Sequence, residues 1–549
     1  MKWSRSAALQ IVLALSTFTH LEDPLKPSLC TAVAAVAATI ALSSAAQAQS
    51  IEDLFLRRID GVDPFHLRPE TGAALIPLVR IGANDYADGV SAPAGAGRPS
   101  AREVSNAVIA QAGPIPAAGI TDMVWQWGQF LDHDVGITEG VGDAFNIAVP
   151  AGDPEFDPMG TGTQELGLTR ALFLTVNGIR EQENEITAWV DGSNIYGSDD
   201  VRNAALRNGD GSLKTSAGGL LPFNTPALPN ANGLNAPADS LFLAGDVRSN
   251  EQMGLASMHT LFVREHNLLH SFLGIFGISG DAAYDISRMI VMGEQQAITY
   301  NEFLPIVVGD AIPNYNGWRP FTDAGMRNEF TGACYRFGHT MLSPTLMRLD
   351  ENGNEIANGN VDLRNAFFNP GLLQQDGIAC VLRGLTTQNP QRVDPFVIDD
   401  VRSFLFGAPG SGGMDLTSLN IQRGRDHGLP SLNDTRRNLG LSAHNRYRDL
   451  SSVRSIRRSL RGVYASIEDV DLWIGGLSED PVAGALVGET FQTVIADQFT
   501  RTRNSDRFWY ERYLPGPIRA FVDARVLGVV IRDNTSAGGE VDDTAFIDD

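Results

Sequence analysis

The chain has 549 residues, 43% of them hydrophobic, enough for a large core and too many for a disordered polymer. Its net charge of −23 argues against nucleic acid and anionic lipid as partners, and Lys214 is the single lysine after Lys26.

Lys2 and Arg5 precede an apolar stretch over residues 7–15, and a second apolar stretch over 31–46 ends in Ala46-Gln47-Ala48. Small residues in that A-x-A arrangement are what signal peptidase cuts, so residues 1–48 read as an export leader and 49–549 as the mature chain. The polar interruption from His20 to Pro27 points to an early start codon or a two-part signal. Neither stretch supplies the ~20 continuous apolar residues of a membrane anchor. The expected destination is therefore secreted, or periplasmic in a bacterium, with no membrane insertion of the mature chain. Cys334 and Cys380 leave one disulfide open, which is no framework for a fold of this size.

Residues 84–100, 140–162 and 209–246 are rich in Gly, Pro, Ala and Asn and read as long irregular loops. After Glu251, the residues Leu255, Met258, Phe262, Leu269 and Phe272 recur at helical steps and define one apolar face. Similar spacing predicts helices over 286–300, 333–342, 453–464 and 487–499. Asp350 to Asn354 begins like a calcium-binding loop, but Gly353 stands at the fourth place instead of the sixth, so a hairpin turn is expected. Residues 407–413 are glycine-rich without the Lys-Ser/Thr of a phosphate loop. His266 and His270 share a helix face, and a structural role is favoured over zinc. These readings add up to a mostly α fold: a single large helical domain with long irregular loops and little sheet.

In Gln129-Phe130-Leu131-Asp132-His133-Asp134, helical steps of three and four put Gln129, Asp132 and His133 on one side, with Asp134 turned about 100° away. Alone, such a histidine is more often structural than catalytic. In 187–193 oxygen-bearing side chains alternate, so an extended segment would point them one way. Hydroxyls of Thr187 and Ser193, the Asp191 carboxylate and the Trp189 carbonyl, joined by Asp134, would then form a hard-oxygen shell of the size calcium takes. A plain Asp-Gly turn is the alternative reading of the same segment.

Together these runs resemble the animal-type haem peroxidase family. The likeness extends from Ile59-Asp60-Gly61 to Arg532-Asp533-Asn534-Thr535. Its elements keep the family's order: Asp132-His133-Asp134, 191–198, Ala244-Gly245-Asp246-Val247-Arg248, Met258-His259-Thr260 with 264–267, Arg336-Phe337-Gly338-His339, and 419–423 followed by Arg425-Asp426-His427-Gly428. Any one of these runs is unspecific; the ordered set is not.

The resemblance implies haem b, one calcium ion, and reduction of hydrogen peroxide through an oxoferryl intermediate with halides, thiocyanate or phenols as donors. It assigns His133 as distal acid-base, Arg248 as its partner, and Gln129 to order water or halide beside them. His339 becomes the ligand to haem iron, with Asn420 accepting a hydrogen bond from its Nδ1–H. Arg336 and Arg423 would pair with haem propionates. Asp132 and Glu251 stand where mammalian members form haem esters. Gln252 stands where one member has a methionine-sulfonium link, so that third bond is not expected and chloride becomes a less expected donor than bromide, iodide or thiocyanate.

Fatty-acid dioxygenases share this fold and place a radical tyrosine three residues before the proximal histidine. Here Arg336 holds that place and Tyr335 lies one residue off. A third reading, an exported adhesive or structural haem protein, is disfavoured because both His133 and Arg248 are retained. The sequence leaves the oligomeric state open.

Overall fold

A computed structural model of the chain describes residues 56–548; the leader and its expected cleavage after Ala48 lie outside them. Among the described residues, six helices of ten or more residues form the framework: α1 (Met123–Val135), α2 (Met253–Ile275), α3 (Asp281–Ile298), α4 (Leu416–Asp426), α5 (Arg454–Val463) and α6 (Glu489–Ser505). The helices predicted after Glu251 and over 286–300, 453–464 and 487–499 correspond to α2, α3, α5 and α6. The fold is mostly helical, as its apolar spacing predicts.

The caps follow ordinary rules. Asp415 accepts main-chain N–H groups of Thr417 (2.9 Å) and Ser418 (3.1 Å) at the start of α4. Beyond its end, Gly428 has φ +62°, and a Cβ there would meet the Tyr86 ring at 2.6 Å. That position therefore requires glycine on two grounds.

α2 packs along α3 on one side and α1 on another. Between α1 and α2 the rings of Phe130 and Phe262 stack at 5.3 Å, with Trp127 tilted against both. Fully buried rings of this size anchor the interface, each hiding roughly 150–250 Å² of apolar surface. On its other flank α1 meets a 3-10 turn, Cys334–Thr340. The buried core runs without a break from Leu78 to Phe546.

Two local expectations are corrected. The predicted helix over 333–342 is a short helix, Asn328–Gly332, followed by the 3-10 turn, with a break at Ala333 (φ −146°, ψ −63°). Arg336 Nε donates to the Thr331 carbonyl at 2.7 Å, so a side chain satisfies a group that continuing helix would have used. Residues 140–162 are not all loop: two strands there, Gly140–Ala144 and Ile147–Ala148, pair antiparallel with Thr169–Ala171 and Glu165–Leu166. The first of them is exposed throughout, so it has no buried face to impose alternation on its sequence.

The largest sheet has three strands, in the order Ile76–Pro77, Ile179–Asn184, Phe173–Val176, all antiparallel. Asp350 to Asn354 forms the expected hairpin turn, with the Asp350 amide donating to the Asn354 carbonyl at 2.8 Å. Cys334 and Cys380 are both free, buried thiols, so the disulfide left open by the sequence is not formed.

Candidate active site

α1 carries the whole run from Gln129 to Asp134, and its neighbours on two sides are α2 and the turn holding His339. His133 is buried, its Nδ1 3.4 Å from Asp246 Oδ1 and its Nε2 3.8 Å from Glu251 Oε2. Burial, reinforced by the Arg248 guanidinium, pushes its pKa well below the ordinary histidine value despite the Asp246 charge. The imidazole is thus neutral, with a lone pair ready to take a proton.

Arg248 is clamped by the carboxylate two residues before it. Its Nε and Nη2 donate to Asp246 Oδ1 and Oδ2, both at 2.9 Å, and the Arg248 amide donates to Oδ1 at 2.8 Å. Nη1 donates to Asp132 Oδ2 at 3.2 Å. Burial alone would raise the Asp246 carboxyl, but the charge and hydrogen bonds of Arg248 outweigh it and hold it well below the usual carboxylate range. Sequence reasoning assigned Asp246 no role; the carboxylate standing two residues before Arg248 was the available signal.

Gln129 Nε2 donates to Glu251 Oε2 at 3.0 Å, and Gln252 Nε2 donates to Gln129 Oε1 at 3.0 Å. Gln252 also caps α2 by accepting from the Gly254 amide. Burial pushes the Glu251 carboxyl up to about 7 and raises Asp132 against the pull of Arg248 and Arg336. Yet 35% of the Asp132 side chain and 26% of Glu251 remain exposed. Deep-set carboxylates with that much open surface line a crevice.

His339 stands near the end of the 3-10 turn. Burial, with Arg336 nearby, lowers its pKa to about 3, so this imidazole is also neutral, as a metal ligand must be. Asn420, on α4, lies against it, but the bond runs opposite to expectation. Asn420 Oδ1 accepts from Arg336 Nη1 at 2.9 Å, leaving Nδ2 to donate to His339 Nδ1 at 2.8 Å. A guanidinium has only donors, so the amide must turn its oxygen toward Arg336.

Arg423 Nη1 donates to Asp426 Oδ2 (3.0 Å) and the Thr169 carbonyl (2.9 Å). The pair with Asp426 is an i, i+3 contact on one helix. Tyr335 is buried, stacked on Phe330 at 4.6 Å and edge-on to Phe337 and Phe499. With three residues per turn, Arg336 and not Tyr335 falls in line with His339.

Asp134, on the far side of α1, binds the loop at 191–194. Its Oδ2 accepts the amides of Asp191 (3.0 Å) and Gly192 (3.2 Å), its Oδ1 that of Asn194 (3.2 Å). The segment is not extended: Gly192 is left-handed (φ +75°) and Ser193 begins a short helix, Ser193–Tyr196. Strict alternation therefore fails. Thr187 Oγ1 instead donates to Asp191 Oδ1 at 2.9 Å, Ser193 Oγ donates to the Asp134 carbonyl at 2.8 Å, and the Trp189 indole donates to the Gly61 carbonyl at 3.0 Å. Arg57 Nε lies 3.7 Å from Asp191 Oδ2.

His266 and His270 are occupied by protein. His266 lies 3.0 Å from the Tyr196 hydroxyl and 3.1 Å from the Gly211 carbonyl, and His270 2.9 Å from the Asp210 carbonyl.

This arrangement, two neutral imidazoles on facing elements with a clamped guanidinium beside one, defines an oxidoreductase site of the haem peroxidase kind. The family model for animal haem peroxidases matches residues 56–537, and the chain belongs to that family. Peroxinectin A of Dictyostelium discoideum is 34% identical over 498 residues, spanning 87% of this chain and 93% of the relative. A mouse peroxidasin homologue is 35% identical over 500 residues, which cover 81% of this chain but 34% of the longer relative. Among solved structures, peroxidase A from Dictyostelium discoideum superposes with a TM-score of 0.84 at 32% identity, over 89% of this chain and 99% of the other. A rice fatty acid alpha-dioxygenase shares the fold at 20% identity (TM-score 0.76). The protein is a peroxidase, and no helix among the described residues is long and apolar enough to cross a membrane.

The side chains fit the family's cofactor. Neutral His339 offers an imidazole ligand, His133 on the helix packed against its turn an unbonded ring, and Arg336 a cation for a propionate. Asp132 and Glu251 stand open to the same crevice. For Nε2 of His339 to ligate iron, Nδ1 must carry the hydrogen, which requires the Asn420 oxygen that Arg336 now holds. The calcium loop fits as well: burial and Asp191 together push the Asp134 carboxyl up to about 8. Asp191 Oδ2 has no hydrogen-bond donor. A hard cation between the two carboxylates would cancel that cost.

Proposed function

We propose that this peroxidase reduces hydrogen peroxide and oxidises small donors, halides or thiocyanate and phenols, as an exported protein holding haem b and one calcium ion. The observation that carries this reading is the placement of neutral His133 beside Arg248, which Asp246 clamps while lying 3.4 Å from His133 Nδ1. Bound haem would supply the redox chemistry, held by His339 with Asn420 behind it and Arg336 at its carboxylates.

The chain's own groups then handle protons and charge. His133 Nε2 takes the proton from the peroxide oxygen that is to be retained. It returns that proton to the departing oxygen, which leaves as water. Arg248 stabilises the negative charge that builds on the departing oxygen as the O–O bond breaks. Asp246 keeps the guanidinium from swinging out of reach. Gln129, held by Glu251 and Gln252, presents a fixed amide edge to a water or halide. Asp134, Thr187, Asp191 and Ser193, with the Trp189 carbonyl, would hold calcium and so tie the 187–193 loop to α1.

Dioxygenase chemistry is disfavoured because Arg336, not a tyrosine, stands three residues before His339, and Tyr335, one residue off, packs its ring on Phe330, Phe337 and Phe499. The test is peroxide-dependent oxidation of iodide, thiocyanate and guaiacol by purified, haem-loaded protein. Oxidation of at least one supports the reading; a haem spectrum with none of these activities overturns it. Haem that resists acid-organic extraction would locate esters at Asp132 or Glu251.

A further inference from the structure

The charge of the chain is distributed unevenly. Against a net −23, residues 446–461 contain six arginines and a single aspartate. They form a short helix, Tyr447–Leu450, and α5, which pack on each other. The apolar residues of α5, Ile456 and Leu460, are buried inward, so its outer face carries Arg454, Arg458 and Arg461 at steps of four and three. That row spans about 10 Å at 1.5 Å per residue. Arg446 and Arg448 are exposed on the adjoining turn, with Asp449 between them at 3.7 and 3.9 Å.

Nearby acids do not neutralise the row. Glu479 and Glu489 are taken by buried Arg436, Glu468 by Arg437, and Asp480 by the Ser452 amide and hydroxyl. Asp469 lies near Tyr447, which Arg461 covers at 5.7 Å. Arg454 and Arg458 have no hydrogen bond or ion pair among the described residues. Exposed arginines without partners, set in register on a rigid helix, have a cost in self-repulsion that an anionic ligand would remove.

We propose that this face binds a linear acidic polysaccharide, its carboxylate or sulfate groups received by Arg454, Arg458 and Arg461. Guanidinium forks match both anions bidentately. Ser455 and Ser459, between the arginines, offer hydroxyls to a hydroxyl-rich chain. A membrane is a poorer fit, because Val453 is the one large apolar side chain exposed there, and interfacial helices need a bulky apolar face. Nucleic acid is a poorer fit too: the segment's one aromatic, Tyr447, is buried, so no ring is offered to bases. Repulsion from the acidic remainder is screened beyond about 8 Å at physiological salt, so a local contact suffices.

The test compares full-length protein with R454Q/R458Q/R461Q and with R319Q/R392Q, which removes exposed arginines elsewhere. Binding to heparin, as the sulfated probe, and to polygalacturonate, as the carboxylated one, is measured at 0.1 M NaCl, with duplex DNA and phosphatidylserine vesicles as parallel ligands. The expected result is saturable binding of at least one polysaccharide, weakened about tenfold or more in the triple variant and unchanged in the control pair. The two probes distinguish sulfate from carboxylate. No polysaccharide binding by the wild type, equal loss in both variants, or tighter binding of DNA or vesicles overturns the proposal. Unchanged circular dichroism of the triple variant separates lost binding from lost fold, and none of these readouts depends on peroxidase activity.

Discussion

Asp246 has two oxygens and uses both on Arg248, with His133 Nδ1 3.4 Å from the first. Replacing it with Ala leaves a buried guanidinium without its main counter-charge, at about 3–5 kcal/mol. D246A should therefore lower the midpoint of urea unfolding and slow peroxide consumption together; an unchanged midpoint would show that the clamp contributes little. H133A isolates the proton-transfer role. Haem should stay bound while the rate of the peroxide reaction, followed by stopped-flow absorbance, falls about 10²- to 10⁴-fold. A rate near that of the wild type would remove His133 from the mechanism. At this scale part of the site was legible: helical phase puts Gln129, Asp132 and His133 together on α1, Arg248 reaches Asp132, and the turn holding His339 packs against α1. Three features were not. Asp246 carries no periodicity, the Asn420 amide orientation depends on where Arg336 sits, and Arg423 chose Asp426 three residues away.

Among elements, α1 bears the most titratable burden, and its first contact is Asp122. Burial pushes the Asp122 carboxyl up to about 7, while Ser343 Oγ donates to Oδ1 at 2.9 Å. The folded-state pKa is thus above the unfolded value near 3.8, so this residue's contribution is fully favourable below about pH 4 and is lost as pH rises toward 7. D122N should flatten stability between pH 4 and 8, with the variant gaining on the order of 3 kcal/mol relative to wild type at the upper end. Parallel pH profiles for the two proteins would refute it. Long helices such as α2 and α3 announce themselves because one face repeats every three or four residues. The 3-10 turn at Cys334–Thr340 and the loop at 187–193 do not: each is shaped by a few bonds, Arg336 to Thr331 in one and the left-handed Gly192 in the other, that no residue spacing encodes.

Over the whole molecule, the Asp134 loop ties α1 to both the N-terminal segment and the end of α6. Arg57 lies against Asp191, pairs with Asp506, and stacks between Trp189 and Phe508 at 4.7 and 4.9 Å. A cation at Asp134 and Asp191 would therefore act on three distant stretches of chain at once. Chelation by EDTA should lower Tm by ~3 °C or more, restored by calcium and not by magnesium. No bound calcium by elemental analysis, together with an unmoved Tm, would dismiss the site.

His133 and Asp134 are consecutive residues on one rigid helix, their side chains about 100° apart around its axis. No sliding or rotation of α1 can displace one without carrying the other. For protein engineering this makes the 187–193 loop a fixed datum and the catalytic side a poor place to seek new donor specificity. Variation belongs in residues 225–240, a largely exposed stretch that stops short of Asp246 and can be lengthened or reshaped while the distance between the two neighbours stays one peptide bond.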